Sequence, residues 1–186
     1  MATTNGLIAG QLKGSLGKEL VFREWAGLTI VSKAPRSRGN AAGSIQAEMQ
    51  ERFVLGARYA RNILKDPDMA EAYRQTLKPR QNLYSRALQD FVVFPVVKEI
   101  IAREYKGQPG DTITIRAIDD FRVARVQVEI YSASGDLLES GEAVAQAGGF
   151  RWDYTATQAN QPLAGSTVKA IATDVPGNQG SLEMVV

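Results

Sequence analysis

The chain of 186 residues contains neither cysteine nor histidine. Without cysteine there is no disulfide, no thiolate nucleophile and no thiolate metal ligand. Without histidine the commonest general base and the usual transition-metal ligand are gone. A Ser-His-Asp triad, a zinc site and a haem held by His or Cys are therefore excluded. Carboxylate, lysine and tyrosine chemistry remains, but no carboxylate pair stands at a catalytic spacing. The run GQLKGSLGKEL places Gly14 and Gly17 before Lys18 without the spacing of a phosphate-binding loop. The expectation is a protein that is not an enzyme. No apolar run approaches the roughly 20 residues of a membrane helix. The start, MATTNGLIAGQLKGSLG, lacks a basic segment followed by an apolar one, so no secretory signal is visible. That leaves a cytoplasmic location or delivery as part of an assembled particle.

The net charge of +2 hides a polarity. Residues 1–110 carry 17 Lys or Arg against 10 Asp or Glu, and residues 111–186 carry 5 against 10. The sign changes where the residue pattern changes, which places a boundary near Gly107–Gly110. Three parts follow: an arm at 1–17, a basic hairpin with helices at 18–106, and an acidic strand-rich domain at 111–186.

The arm is small, polar and glycine-rich, and by itself it buries little, so it is expected to be disordered or ordered by a partner. Glu19–Trp25 alternates, with Leu20 and Phe22 on one face and Val21, Arg23 and Trp25 on the other. Leu28–Lys33 is rich in β-branched residues, and Ala26–Gly27 between the two runs predicts a β-hairpin. Two strands alone are marginal in water, so this hairpin needs a cover. Ala34–Gly43 reads as a basic loop. From Ser44, a plausible N-cap, the period becomes helical, with Ile45, Met49, Phe53, Ala60 and Ile63/Leu64 as an inward stripe. Asp66-Pro67 stops that helix. Asp68 with Glu71 predicts the start of a short helix through Leu77. A third helix carries Leu83, Ala87, Leu88, Phe91 and Val92. After the break at Pro95, Val96–Glu104 is expected to resume as helix with Val97, Ile100 and Ile101 inward.

Past Gly110 the period is two. Thr112–Ala117, Val123–Tyr131, Leu137–Ser140, Phe150–Thr155, Thr167–Thr173 and Leu182–Val186 predict about six strands, up to seven, at the spacing of a β-sandwich. If the strands run up and down, the loops Asp119–Arg122 and Asp174–Gly180 share an end. Asp119, Asp120 and Asp174 are then oxygen ligands of the kind calcium takes, although the same carboxylates also suit hydrogen bonds to their own turns. Trp152 and Tyr154 share one strand face, as a core pair or, if exposed, as a platform for a sugar or peptide. Trp25 beside the hairpin turn is a packing anchor or an intermolecular contact. Lys33, Arg36, Arg38, Arg58 and Arg61 form a basic surface. Its readings are a solvated face, an acidic protein partner, or phosphates of nucleic acid.

The residues GDTITIRAIDDFRVARVQVEIYSASGDLLESG and KAIATDVPGN, within Gly110–Asn178, resemble bacterial immunoglobulin-like domains. The resemblance implies a sandwich fold used for holding and binding, often in adhesins. The run GSLGKELVFREWAGLTIVSKAP is similar to bacterial proteins that pair a strand hairpin with helices. The expected fold class is thus α+β: an N-terminal β-hairpin with a helical bundle, then an antiparallel immunoglobulin-like β-sandwich. The expected function is that of a structural, self-assembling subunit of a filament, particle or surface structure. Leu20, Phe22, Trp25, Leu28 and Ile30 are its intersubunit contacts in a homo-oligomer. The alternatives are an adhesin-like module for carbohydrate or protein, and a nucleic-acid-associated protein.

Overall fold

The computed structural model of the chain describes residues 2–4, 13–25, 27–34 and 44–186. Among these residues the protein is α+β, with three antiparallel four-stranded sheets and three helices. Two compact units divide it, residues 1–49 and residues 50–186.

In the first unit, strands β3 (Leu20–Trp25) and β4 (Leu28–Lys33) form the expected hairpin, with Trp25 opposite Leu28. The arm is not detached from it. Strand β1 (Ala2–Thr4) pairs with β4, and strand β2 (Gly14–Leu16) pairs with β3, giving the order β1-β4-β3-β2. Of the arm expected to be disordered or ordered by a partner, residues 2–4 and 14–16 thus pair along the hairpin's two outer edges, while residues 1 and 5–12 lie outside the described residues.

Helix α1 (Ser44–Ile63) spans the division between the units. Helix α2 (Pro67–Arg74) is capped by Asp66, whose side chain accepts from the amides of Asp68 and Met69, with Pro67 in the first turn. The cap is therefore two residues earlier than the Asp68–Glu71 pair suggests. Helix α3 (Leu83–Val92) is capped by Asn82. Ala60, Ile63, Tyr73 and Ala87 form the buried centre of the helical layer. Gly56 lets α1 approach α3, because a Cβ there would lie 2.9 Å from Leu88 Cδ1 and 3.0 Å from Phe91 Cδ1.

The strands of the second unit are β5 (Val96–Ile101), β6 (Thr112–Ile118), β7 (Val123–Tyr131), β8 (Leu137–Glu142), β9 (Val144–Ala145), β10 (Arg151–Thr155), β11 (Thr167–Asp174) and β12 (Gln179–Val185). They build two sheets in the orders β5-β6-β10-β9 and β12-β11-β7-β8. Alternation aims Ile113, Ile115 and Ala117 of β6 and Trp152 and Tyr154 of β10 inward. Val126, Val128 and Ile130 of β7 and Val168, Ala170 and Ala172 of β11 come from the other sheet into the same buried cluster. One core thus lies between two antiparallel sheets, a sandwich-like arrangement.

The segment Val96–Glu104 is the main correction. It is not a helix: β5 pairs with β6 and shifts register between Val97 and Glu99. A bulge of this kind sets an extra residue on one strand. Val97 and Ile100, three apart, therefore face Ala117 and Ile115 and are both buried. That spacing is what imitates a helical stripe. It follows that Gly107–Gly110 is not an exit linker; it lies in the connection between two paired strands of one sheet.

At the start of β12, a Cβ on Gly180 would fall on the Pro95 carbonyl. Gly180→Ala must displace backbone, and the expected cost is about 3 kcal/mol of stability, the upper part of the overpacking range. Urea unfolding of the full chain checks this; a loss below about 0.5 kcal/mol, that of an ordinary surface change, contradicts the close approach.

Candidate functional site

Two regions gather the residues singled out by sequence. The first is the N-terminal sheet. Cross-strand pairs fix its faces: Trp25 with Leu28 and Arg23 with Ile30 on one side, Phe22 with Val31 and Leu20 with Lys33 on the other. The five expected contact residues are thus split between two faces, Trp25, Leu28 and Ile30 against Leu20 and Phe22. Trp25 is half exposed, at 50%, and borders a surface cavity of about 370 Å³ with Arg23, Glu24 and Ile30. Leu20, Phe22, Leu28 and Ile30 are partly exposed. Among residues 13–25, 27–34 and 45–56, no apolar side chain is buried, and Thr29 is the one buried residue of β3 and β4. Each face of the hairpin carries apolar side chains that are at least partly exposed.

Helix α1 continues the theme. Its expected inward stripe divides: Ala60 and Ile63 are buried, while Ile45, Met49 and Phe53 are exposed at 71%, 68% and 55%. Lys33 at the end of β4 and Arg58 and Arg61 on α1 are exposed, while Arg36 and Arg38 lie outside the described residues. Arg52, on the same helix, turns inward. It lies over the Phe94 ring at 3.8 Å and donates to the Phe91 carbonyl and to Asn178 Oδ1.

The second region is the loop end of the sheets. The loops Asp119–Arg122 and Asp174–Gly180 do share an end, and the helices dock there. Arg86 of α3, 2% exposed, donates to Asp120 Oδ2 at 2.6 Å, to the Asp120 carbonyl at 2.7 Å and to Thr76 Oγ1 at 3.1 Å. Lys78 adds a second, exposed partner for Asp120 at 3.7 Å. Phe121 stacks on Tyr73 with ring centres 4.1 Å apart. Asn178 donates to the Phe91 carbonyl and accepts from Arg52, while Asp174 accepts from its amide and side chain. Gly177, at φ 95°, supplies the left-handed turn that brings Asn178 back to Asp174.

Each of the three carboxylates expected as oxygen ligands has partners within the protein. Asp119 accepts from the amides of Phe121 and Arg122, Asp120 is held by Arg86, and Asp174 is held by Asn178. Among the described residues no group of three carboxylates is gathered to hold a metal ion. Trp152 and Tyr154 are 6% and 5% exposed, members of the core. A carbohydrate platform on them is thereby overturned. Burial, with the Glu139 carboxylate nearby, pushes the Tyr154 hydroxyl up to about 12.

Behind the docked loops lies a buried chain that the sequence reading missed. Tyr59 of α1 and Tyr73 of α2 share a hydrogen bond of 2.7 Å, and Tyr73 donates to Asp90 Oδ2 of α3 at 2.6 Å. Asp90 is fully buried, and its Oδ1 has no partner. Burial pushes its carboxyl up to about 7, helped by the negative charges of Asp119 and Asp174 and opposed by the Tyr73 hydrogen bond and the Arg86 charge. Burial also raises Asp174 and pushes the Tyr59 hydroxyl up to about 12. Asp90 sits between Leu83/Ala87 and Phe91 on the apolar helix stripe. A carboxylate beside such a stripe is the signal that marks it.

Neither a protein-family model nor a curated protein matches the chain. Among solved structures it is similar to an engineered protein, at 24% identity and a TM-score of 0.36, over 50% of this chain and 18% of that one. It is also similar to a calcium-binding mutant of Bacteroides uniformis beta-glucuronidase 2, at 14% identity and a TM-score of 0.31, over 50% of this chain and 13% of that one. The chain thus spans less than a fifth of either of those chains.

The docking of the helices on the loop end gives a direct test. Asn178→Ala removes the side-chain bonds to Phe91, Arg52 and Asp174 Oδ2 together and keeps the amide bond to Asp174 Oδ1, leaving part-buried groups unsatisfied. The expected loss is about 1–3 kcal/mol, read as a lower urea midpoint. An unchanged midpoint contradicts the role of this contact.

Proposed function

We propose that the chain is a non-enzymatic structural subunit that assembles with copies of itself, using the N-terminal sheet as the intersubunit surface. The observation that carries this is that no apolar side chain of the N-terminal sheet is buried among the residues whose side chains are described. Strands β2, β3 and β4 leave each of their apolar side chains at least partly exposed. A sheet ordinarily needs at least one covered face to be stable in water. Here both faces carry apolar residues. One open face leads to a closed pair, whereas two let further subunits add on either side, as a filament or particle requires. The exposed Ile45, Met49 and Phe53 of α1 add apolar surface of the kind that marks interaction sites. The charge polarity favours head-to-tail contact: 14 basic side chains stand against 8 acidic before Val96, and 8 against 12 from there on.

The immunoglobulin-like reading of the C-terminal part belongs to the same proposal. Lettering β5 to β12 as A, B, C, C′, D, E, F and G turns the observed orders into A-B-E-D and G-F-C-C′. An immunoglobulin-type sandwich with one added strand carries the same two orders, which supports the reading. The domain would present a rigid acidic body to the basic part of a neighbour.

Light scattering of the full chain tests the assembly. The expected mass is a multiple of 20.2 kDa, falling to the single-chain value in Phe22→Ser/Trp25→Ser, which places one hydroxyl on each face of the sheet. A wild-type protein that stays at 20.2 kDa at every concentration and salt level contradicts it.

A further inference from the structure

We propose that Asp90 works an acid-strengthened latch: with a proton on Asp90, helices α2 and α3 are held against the loop end at Asp119–Arg122 and Asp174–Asn178, and loss of that proton loosens them. The geometry carries this. Asp90 lies on the inner side of α3 with no exposure, and its neighbours offer one donor, the Tyr73 hydroxyl at 2.6 Å. Tyr73 is itself bonded to Tyr59, so the chain from α1 through α2 ends on this carboxyl. The second oxygen, Oδ1, has no partner, and neither has the buried Oδ1 of Asp119. A buried anion with an unpaired oxygen is costly, and a protonated carboxyl avoids that cost.

The charged groups around Asp90 leave it without a counter-ion. On its own helix Arg86 is bound to both the side chain and the carbonyl of Asp120. From α1 and α2 come only Tyr59 and Tyr73. The β6–β7 loop contributes Asp119 and the exposed Arg122, whose guanidinium lies 5.3 Å from the Phe121 ring centre. The end of β11 contributes Asp174. Ionised Asp90 therefore adds a negative charge to two others at the surface where helices and loops meet. The two sides of that surface are separate segments held together by side-chain contacts rather than by strand pairing, so repulsion there acts on the docking rather than on either sheet.

The sign follows from proton binding. The closed form holds the Asp90 proton up to about 7, whereas an opened, hydrated carboxyl releases it near the ordinary 3.8. The latch contribution is thus complete below that lower value and is lost as pH rises through the upper one.

Hydrogen exchange of the full chain at a series of pH values, corrected for the intrinsic exchange rate, reads the latch by region. The expected result is that opening of α2 and α3 grows about tenfold per pH unit between pH 4 and about 7 and then levels off, while β7 and β11 keep their protection. Asp90→Asn is expected to abolish this slope. Asp119→Asn, which keeps an acceptor for the loop amides, is expected to move the levelling-off to lower pH. A flat wild-type profile, helices and strands opening together, or an unchanged slope in Asp90→Asn overturns the proposal. Should Asp90→Asn fail to fold, an unshifted profile in Asp119→Asn overturns it instead.

Discussion

The contact between Arg86 and the Asp120 segment is the constraint on which the second unit depends. A guanidinium 2% exposed must be paired, because an unpaired buried charge is expensive. Its partners are the carboxylate and the carbonyl of one loop residue, two bonds in fixed geometry. That holds the β6–β7 loop on α3, brings the next residue, Phe121, onto the Tyr73 ring, and aligns the loop amides with Asp119. The Asn178 turn repeats the arrangement at the other sheet, reaching the Phe91 carbonyl and Arg52. Helices and sheets are joined by polar groups that each find only one set of partners, and specificity of docking follows from that restriction.

The two units differ in what completes them. The second has a core of its own, drawn from both sheets, and a smaller helical cluster closed by Phe121. The first has backbone pairing and a cross-strand pattern but no buried apolar side chain among the described residues. Backbone hydrogen bonds alone contribute little net stability in water, so burial must come from outside the sheet. The proposed assembly supplies it. A subunit that assembles as proposed would couple the order of its N-terminal sheet to contact with a neighbour, while its C-terminal part has a core of its own.

Much of this was legible in the sequence, and the exceptions have physical causes. Strands with one buried face showed themselves by alternation: Val126, Val128 and Ile130 are buried as the pattern predicts, and β7 has the expected bounds. The hairpin was visible in Ala26–Gly27 between an alternating run and a β-branched one. Strand β5 was hidden because its bulge sets Val97 and Ile100 three apart, a helical spacing. The strands of the arm were hidden because three-residue edges carry no period to read. The inward stripe of α1 held only at Ala60 and Ile63; periodicity shows that a face is apolar, not that something covers it. The loop end was located correctly, and its carboxylates serve turns and Arg86. Asp90 carries a local signal in its place beside the apolar stripe of α3, whereas Arg86 escaped notice because its burial depends on Asp120, 34 residues away.

A double-mutant cycle on Arg86→Met and Asp120→Asn tests the central claim most directly, since it isolates the pair from the cost of either single change. The account predicts a coupling of about 3 kcal/mol between the two sites, as for a buried charge pair whose loss strands its partner. A coupling below about 0.5 kcal/mol, the level expected of independent sites, would show that the helices are held on the loops by something other than this contact.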